Sequence, residues 1–293
     1  MANIHYENCP ICNKQEFEHY QSVEDWGYSK KQFEIVRCSN CSFALTQNAP
    51  DQESIAEYYH HADYVSHTDT NEGLFFKIYH IVREKMLNKK RKWVEKHAKK
   101  GSVLDIGAAT GYFLSNLKNN NWEVLGFEPE KNAREIAKSK HNIDLINNFE
   151  PLFSVNKKFD AITMWHVLEH VHELNLYFEY FKKLTKKDGK VFIAVPNYTS
   201  FDAKYYKGNW AAWDVPKHLW HFNPKSFKML SEKHGFEIEK MYSLPFDSFY
   251  VSLLSEKSFL GKIRAVFVGT FSFFKEIINV ENGSSVLYVL KKK

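Results

Sequence analysis

The sequence predicts an α/β protein, a mostly parallel sheet with helices on both faces behind a small cysteine-bearing module. Three observations carry this. From Ser102 onward, short apolar runs alternate with helical patterns, as parallel strands joined by crossover helices do. A turn of small residues, Gly107-Ala108-Ala109-Thr110-Gly111, links the first of those strands to a helix. All four cysteines fall within the first 41 residues, as Cys9-Pro-Ile-Cys12 and Cys38-Ser-Asn-Cys41.

Each Cys-x-x-Cys presents two thiolates from one tight turn. Two such turns, here separated by 25 residues, make a tetrahedral sulfur cage suited to zinc. A four-cysteine site leaves no open position for water. Cys9, Cys12, Cys38 and Cys41 are therefore expected to hold a structural Zn2+ that folds the segment without doing chemistry. The spacer supplies Trp26, Tyr28 and Phe33 as a minimal core around the metal. Residues 46–53, with Pro50, read as a polar link. Residues 54–64 look helical and carry Tyr58, Tyr59 and Tyr64; a longer helix over 72–99 turns basic at its end and stops at Gly101.

The alternating part then runs in order. Ser102–Ile106 is an apolar strand and 111–119 a helix. Glu123–Phe127 is a second strand, 130–140 a helix, and 144–146 a weak strand. Residues 159–164 form a stronger strand, followed by a helix over Leu174–Leu184 and a strand over 190–195. A helix at 224–234 and strands at 236–242 and 286–290 complete the pattern. The last two strands lack an obvious crossover helix, so an antiparallel return at the sheet edge is expected.

Composition narrows the class. Hydrophobic residues at 44% suffice for a substantial core, and the aromatic share of 16% is high enough to line a pocket as well. The net charge of +5 is concentrated at 88–100 and 291–293, which read as a solvated helix face and a tail. No basic stripe crosses a recognisable nucleic-acid module, which argues against RNA or DNA as partner. No signal-peptide layout and no long charge-free apolar run is present, so a cytoplasmic location is expected. The nearest approach, 259–280, is interrupted by Lys262, Arg264, Lys275 and Glu276. It reads as an amphipathic helix over a pocket or in peripheral contact with a membrane, packing on its own protein being the favoured case.

The glycine turn is the most informative stretch. Asp105 sits at the end of the preceding strand, where a carboxylate repels a pyrophosphate but favours a ligand bringing an ammonium and a sulfonium. Glu128 ends the next strand, 21 residues after Gly107, where an acid can accept bonds from ribose hydroxyls. On Asp105-x-Gly107-x-x-x-Gly111, Glu128, Phe159-Asp160 and the run Trp165-His166-Val167-Leu168-Glu169-His170-Val171, residues 102–196 resemble the class I S-adenosylmethionine-dependent methyltransferases. The resemblance is to the branch that includes quinone-biosynthesis O-methyltransferases and sugar methyltransferases. Ala109 departs from it, since many members have glycine there. Pro196-Asn197, Trp213, His218-Leu219-Trp220-His221-Phe222 and Gly235-Phe236 look like a subgroup with a similar N-terminal zinc module.

The resemblance implies a Rossmann-like, mostly parallel seven-stranded sheet. It implies a zinc module at 1–48, a helical lid or linker at 49–100, and a methyltransferase domain at 101–293 with insertions at about 197–223 and 244–283. It implies S-adenosylmethionine contacts at Asp105, Gly107, Ala108, Gly111, Tyr112, Phe113, Glu128, Pro129, Asn148, Phe149, Trp165 and His166, with Tyr59 and Tyr64 as an aromatic lid. Core packing is the competing account of Phe149, and helix packing that of the tyrosines. A hydroxyl acceptor must lose a proton on methylation, so His170, His218 and His221 are the candidate bases. Trp210, Trp213 and Trp220 either wall the pocket or stabilise their loop. The expected reaction is methyl transfer to an oxygen or carbon of a sugar or related small molecule. The alternatives are an RNA methyltransferase gripping RNA with the zinc module and basic helix, and a non-catalytic scaffold recruiting a partner through the zinc module.

Overall fold

The computed structural model describes residues 3–60, 74–154 and 156–293. Tyr64 lies outside them. In chain order the strands and helices are β1 (Asn3–Ile4), β2 (Phe17–Glu24), β3 (Gln32–Cys38), β4 (Ala44–Gln47), β5 (Ala49–Pro50), α1 (Ala56–His60) and α2 (Leu74–His97). They continue with β6 (Ser102–Ile106), α3 (Tyr112–Lys118), β7 (Glu123–Phe127), α4 (Lys131–His141), β8 (Leu145–Ile146), α5 (Glu150–Ser154) and β9 (Phe159–Trp165). The remainder is α6 (Leu174–Leu184), β10 (Thr185–Pro196), α7 (Phe201–Tyr206), β11 (Trp220–His221), α8 (Pro224–Lys233), β12 (Phe236–Ser243), α9 (Asp247–Leu254), α10 (Phe259–Ile278) and β13 (Ser285–Lys292).

Seven strands form one mixed sheet in the order β12-β13-β10-β9-β6-β7-β8. β6 pairs in parallel with both β7 and β9, and β7 in parallel with β8. β6 is buried along its whole length and β9 nearly so, as continuous apolar runs covered on both faces require. The last strand of the chain is not at the edge; β13 inserts between β10 and β12.

The chain clusters into two compact units, one made of residues 1–63, 166–177 and 194–288, the other of 64–165, 178–193 and 289–293. In the first, a four-stranded sheet runs β11-β4-β3-β2, so the N-terminal strands share a sheet with the two-residue β11. Trp220 pairs with Leu45 and His221 with Ala44. Thr46 Oγ1 closes this joint by donating to the His218 carbonyl at 2.7 Å and accepting from His221 Nε2 at 2.9 Å. The core beside it holds Tyr58, Tyr198, Trp210 and Trp213, with Phe33 from β3. Trp26, expected in the core around the cysteines, is 46% exposed instead, its ring covered on one side by Lys257 Nζ at 3.2 Å.

Trp210, Trp213 and Trp220 are all buried at 2% exposure. Each indole N–H has a fixed acceptor: the Asp202 carboxylate, the Lys207 carbonyl and the Val171 carbonyl respectively. Asp202 also accepts from Ser272 and Ser284, so one fully buried carboxylate ties α7, α10 and the approach to β13 together. These tryptophans stabilise their segment, the second of the two roles expected for them. In the second unit, Gly126 lets β7 come close to α3, since a Cβ there would meet Leu114 at 2.5 Å.

Candidate active site

In the second unit, β6 ends in a turn in which Gly107, Ala109 and Gly111 all have positive φ, at 74°, 46° and 79°. Glycine adopts this region freely, whereas alanine there costs about 1–2 kcal/mol. Gly111 is needed twice over, because a Cβ on it would also lie 3.0 Å from Ala137 of α4. The turn spends most of its own amides internally: Gly107 and Ala108 donate to the Phe127 carbonyl and Gly111 to the Ala108 carbonyl. Ala109 N–H donates to Glu128 Oε2 at 2.8 Å. Glu128 takes the Glu130 amide on its other oxygen at 3.0 Å, and each oxygen keeps a lone pair for a further donor. Burial raises the Glu128 carboxyl above the usual range, against the pull of these amides.

Asp105 is 2% exposed and accepts from Thr163 Oγ1 of β9 at 2.6 Å. Burial pushes its carboxyl up to about 7, while Thr163 and the Lys90 ammonium of α2 act to lower it. A carboxyl held this close to neutrality ionises readily beside a cation. Sequence reasoning placed Lys90 in a solvated basic helix and did not single out Thr163. The signal for Lys90 was its place one turn before the buried pair Trp93 and Val94.

Trp165 closes the strand beside this turn. Phe113 meets it edge-on at 5.4 Å, Lys90 Nζ stands 4.5 Å from its ring, and its buried indole N–H has no hydrogen-bond partner among the described residues. Phe149 stacks on Phe127 at 4.1 Å and touches Tyr180, a packing arrangement. Asn148 and Pro129 are exposed at the strand ends. Tyr112 is held by Arg83, 4.1 Å from its ring, and by His141.

The histidine candidates lie in the first unit. His166, at φ 55°, sets Nε2 3.1 Å from Asp247 and Nδ1 3.6 Å from Glu169. Burial works to lower its pKa, but the two carboxylates prevail and raise it to about 9. Glu169 is 1% exposed, and neither of its oxygens has a hydrogen-bond partner among the described residues. Burial would raise its carboxyl, yet the cluster of His166, His218 and His170 holds it below the usual range. His170 Nδ1 lies 3.1 Å from the Lys217 carbonyl and 3.0 Å from the Tyr59 hydroxyl, and His218 Nδ1 2.9 Å from the Ala212 carbonyl. A carbonyl can only accept, so both rings carry a proton on Nδ1, which leaves Nε2 as the atom each can offer a partner. Burial, with His218 adding to it, lowers the His170 pKa to about 4.

Glu169, His170 and His218 offer three ligand atoms within 4.8 Å of one another. Two imidazole Nε2 atoms and a buried carboxylate can exchange a proton or seat a divalent cation, with backbone carbonyls orienting the rings as second partners do in metal sites. Glu169 escaped the sequence reading because a lone acid inside an apolar run gives no spacing signal. His221 is engaged differently: its Nε2–H is spent on Thr46 and its ring packs on Trp213 at 4.8 Å, with burial holding it neutral. That is the environment of a packing histidine, so the proton-handling reading passes to His170 and His218. Tyr59 joins the histidine cluster through its hydroxyl, while Tyr58 packs edge-on to Tyr28 and Phe33.

The four cysteines also converge. Cys9 and Cys41 Sγ are 3.5 Å apart, as are Cys12 and Cys38, and all four sulfurs lie within 4.8 Å of one another. A tetrahedron with metal–sulfur bonds of 2.3 Å has edges of about 3.8 Å, close to these separations. The two turns match, since Asn13 and Ser42 each donate their amide to the first cysteine of the pair and each have φ near 60°.

A mixed sheet whose first strand ends in a buried carboxylate, a left-handed turn and an acid closing the next strand make the frame of a class I S-adenosylmethionine-dependent methyltransferase domain. A family model described as "Methyltransferase domain" matches residues 78–241, more than half of the chain, and the chain belongs to that family. Over 112 residues it is 31% identical to an uncharacterized methyltransferase of Alkaliphilus oremlandii, covering 37% of this chain and 50% of that one. Over 110 residues it is 31% identical to a ubiquinone biosynthesis O-methyltransferase of Pelagibacter ubique, covering 36% and 46%. The chain thus spans about half the length of the curated relatives it matches. The crystal structure of a putative sarcosine dimethylglycine methyltransferase from Galdieria sulphuraria superposes with a TM-score of 0.50 over 73% of this chain and 86% of that one, at 12% identity. That likeness bears on the fold alone.

Proposed function

We propose that this chain transfers the methyl group of S-adenosylmethionine to an oxygen or carbon of a small molecule, a sugar or related metabolite. The observation that carries the proposal is the pairing of the left-handed turn at Gly107–Gly111 with two buried acids, Asp105 and Glu128. Asp105 receives the ligand's ammonium and Glu128 its ribose hydroxyls, with Gly107, Ala108 and Gly111 letting the backbone approach. The ubiquinone-biosynthesis relatives favour a small acceptor over RNA.

The cofactor supplies an already activated electrophilic methyl group, so positioning does most of the work. What this chain adds is a place for the acceptor's proton. His170 or His218 takes it on Nε2, and Glu169 stabilises the imidazolium that results. A divalent cation seated on the same three residues would lower the acceptor's pKa to the same end. Cys9, Cys12, Cys38 and Cys41 hold a structural zinc ion.

Calorimetric titration with S-adenosylmethionine and S-adenosylhomocysteine tests the first half, with Glu128→Gln and Asp105→Asn as comparators. Saturable binding that both variants weaken supports the cradle; no binding by folded, zinc-replete protein removes it and leaves the scaffold reading. A radiolabelled-methyl assay on nucleotide sugars, quinone-precursor phenols and RNA then tests the acceptor. Of His170→Ala and His218→Ala, the one that removes the base should lower kcat about 10²–10⁴-fold with little change in cofactor affinity. Activity that dialysis against a chelator removes and Mg2+ or Mn2+ restores would assign the cluster to a cation.

A further inference from the structure

Helix α10 is inside out for a helix packed on its own protein. Its buried stripe is Gly261, Ala265, Val268, Gly269, Ser272 and Glu276, small or polar residues at helical spacing. Gly269 lets α9 come close, since a Cβ there would meet Phe249 at 3.0 Å. The large apolar residues face outward: Phe259 is 81% exposed, Leu260 76%, Phe267 72% and Ile278 81%, with Phe271 and Phe274 more than half exposed. On the same face, Phe201 and Tyr205 of α7 join Leu260, Ile263, Phe267 and Phe271 in an apolar groove of about 490 Å³. A patch this continuous on a protein surface marks an interaction site.

Charge decides what covers it. The exposed ionic residues within α10 are Lys262, Arg264 and Lys275, all cations; the helix's one acid, Glu276, is buried, and exposed Lys257 and Glu281 flank its two ends. Arg264 is neutralised by a two-pronged contact with Glu256 at 2.6 and 2.7 Å, which leaves Lys262 and Lys275 beside the apolar face. A two-fold contact with a second copy sets the same patch against itself and brings these lysines together with no acid on the helix to answer them. An anionic bilayer surface meets both features, taking the aromatic and aliphatic side chains below its headgroups and the lysines at their level. No helix among the described residues is long and apolar enough to cross a membrane, so the contact is one of lying on the surface.

We infer that α10 seats this protein on an anionic lipid surface, with its exposed apolar face in the headgroup–acyl boundary and the α7–α10 groove open to an acyl chain. The probe is the full chain with vesicles of phosphatidylcholine alone or with phosphatidylglycerol added, read by co-sedimentation and repeated at raised salt. Phe267→Ser with Phe271→Ser removes apolar contact, and Lys262→Glu with Lys275→Glu reverses the charge. Because these side chains are exposed, thermal midpoint and S-adenosylhomocysteine binding should be unchanged in both variants, which separates a lost surface from a lost fold.

The expected result is binding to the anionic vesicles at least about tenfold tighter than to the neutral ones, weakened by salt and reduced at least tenfold by either double variant. Equal binding to both vesicles overturns the inference, as does binding that neither variant changes. Sedimentation of the free protein as a dimer that Phe267→Ser/Phe271→Ser dissociates, with no vesicle binding, overturns it in favour of a second copy.

Discussion

Two residues in the turn after β6 set measurable quantities. Ala109 holds a left-handed φ of 46°, a conformation glycine adopts without the Cβ penalty. Ala109→Gly should therefore raise stability by roughly 0.5–1 kcal/mol, the relieved strain exceeding glycine's entropic cost. Chemical denaturation reads this directly, and an unchanged or lower midpoint would mean the turn is unstrained. Asp105 gives a pH dependence. Its folded pKa of about 7 stands above the unfolded value of 3.8, so its contribution to stability is fully present below pH 4 and lost as the pH rises through 7. Thermal midpoints of the ligand-free protein should fall across that window, and Asp105→Asn should flatten the fall. Affinity for S-adenosylmethionine should move the other way, rising as Asp105 ionises. Asp105 and Glu128 were legible in the sequence because backbone geometry fixes acids at strand ends to positions countable from the glycines. The tautomers of His170 and His218 were not, because they depend on carbonyls of residues 212 and 217.

At the scale of elements, the sequence reading found β6, β7 and α6 with their observed bounds and most others within two residues. It missed the first half of β10, since Lys186-Lys187-Asp188-Gly189-Lys190 has the polarity of a turn and only backbone pairing makes it a strand. It saw the cysteine pairs but not the strands β2 to β4 between and beyond them, whose burial alternates weakly. Those strands are the elements that metal loss should disturb first: Cys38 is the last residue of β3, and Cys12 lies in the turn ahead of β2. With zinc on the four cysteines, as proposed, chelation should lower the thermal midpoint and expose the amides of β2–β4 to hydrogen exchange. Uniform exchange across the chain would argue against a local role. The joint of β4 with β11 predicts a further cost. Thr46→Val leaves the His221 N–H and the His218 carbonyl unanswered in the interior, at about 2–4 kcal/mol.

For the molecule as a whole, the alternation of strands and helices announced the parallel part of the sheet, while the placing of β13 inside β12 depends on contacts that no local pattern records. The same limit hid the pairing of the N-terminal strands with β11, because a two-residue strand carries no period. That pairing gives the protein a clock. Thr46 and His221 are 175 residues apart, and a ribosome adding 5–20 residues per second needs roughly 9–35 s to supply the second after the first. For that time β4 has a bare edge and four thiols stand ready, with nothing of its final neighbour yet made. Metal captured by the cysteines during synthesis would hold the first hairpin in register until its partner emerges. Starved of zinc, the nascent chain meets other chains with that edge open, so the yield of soluble protein would depend on zinc supply during translation even where the finished fold tolerates its loss.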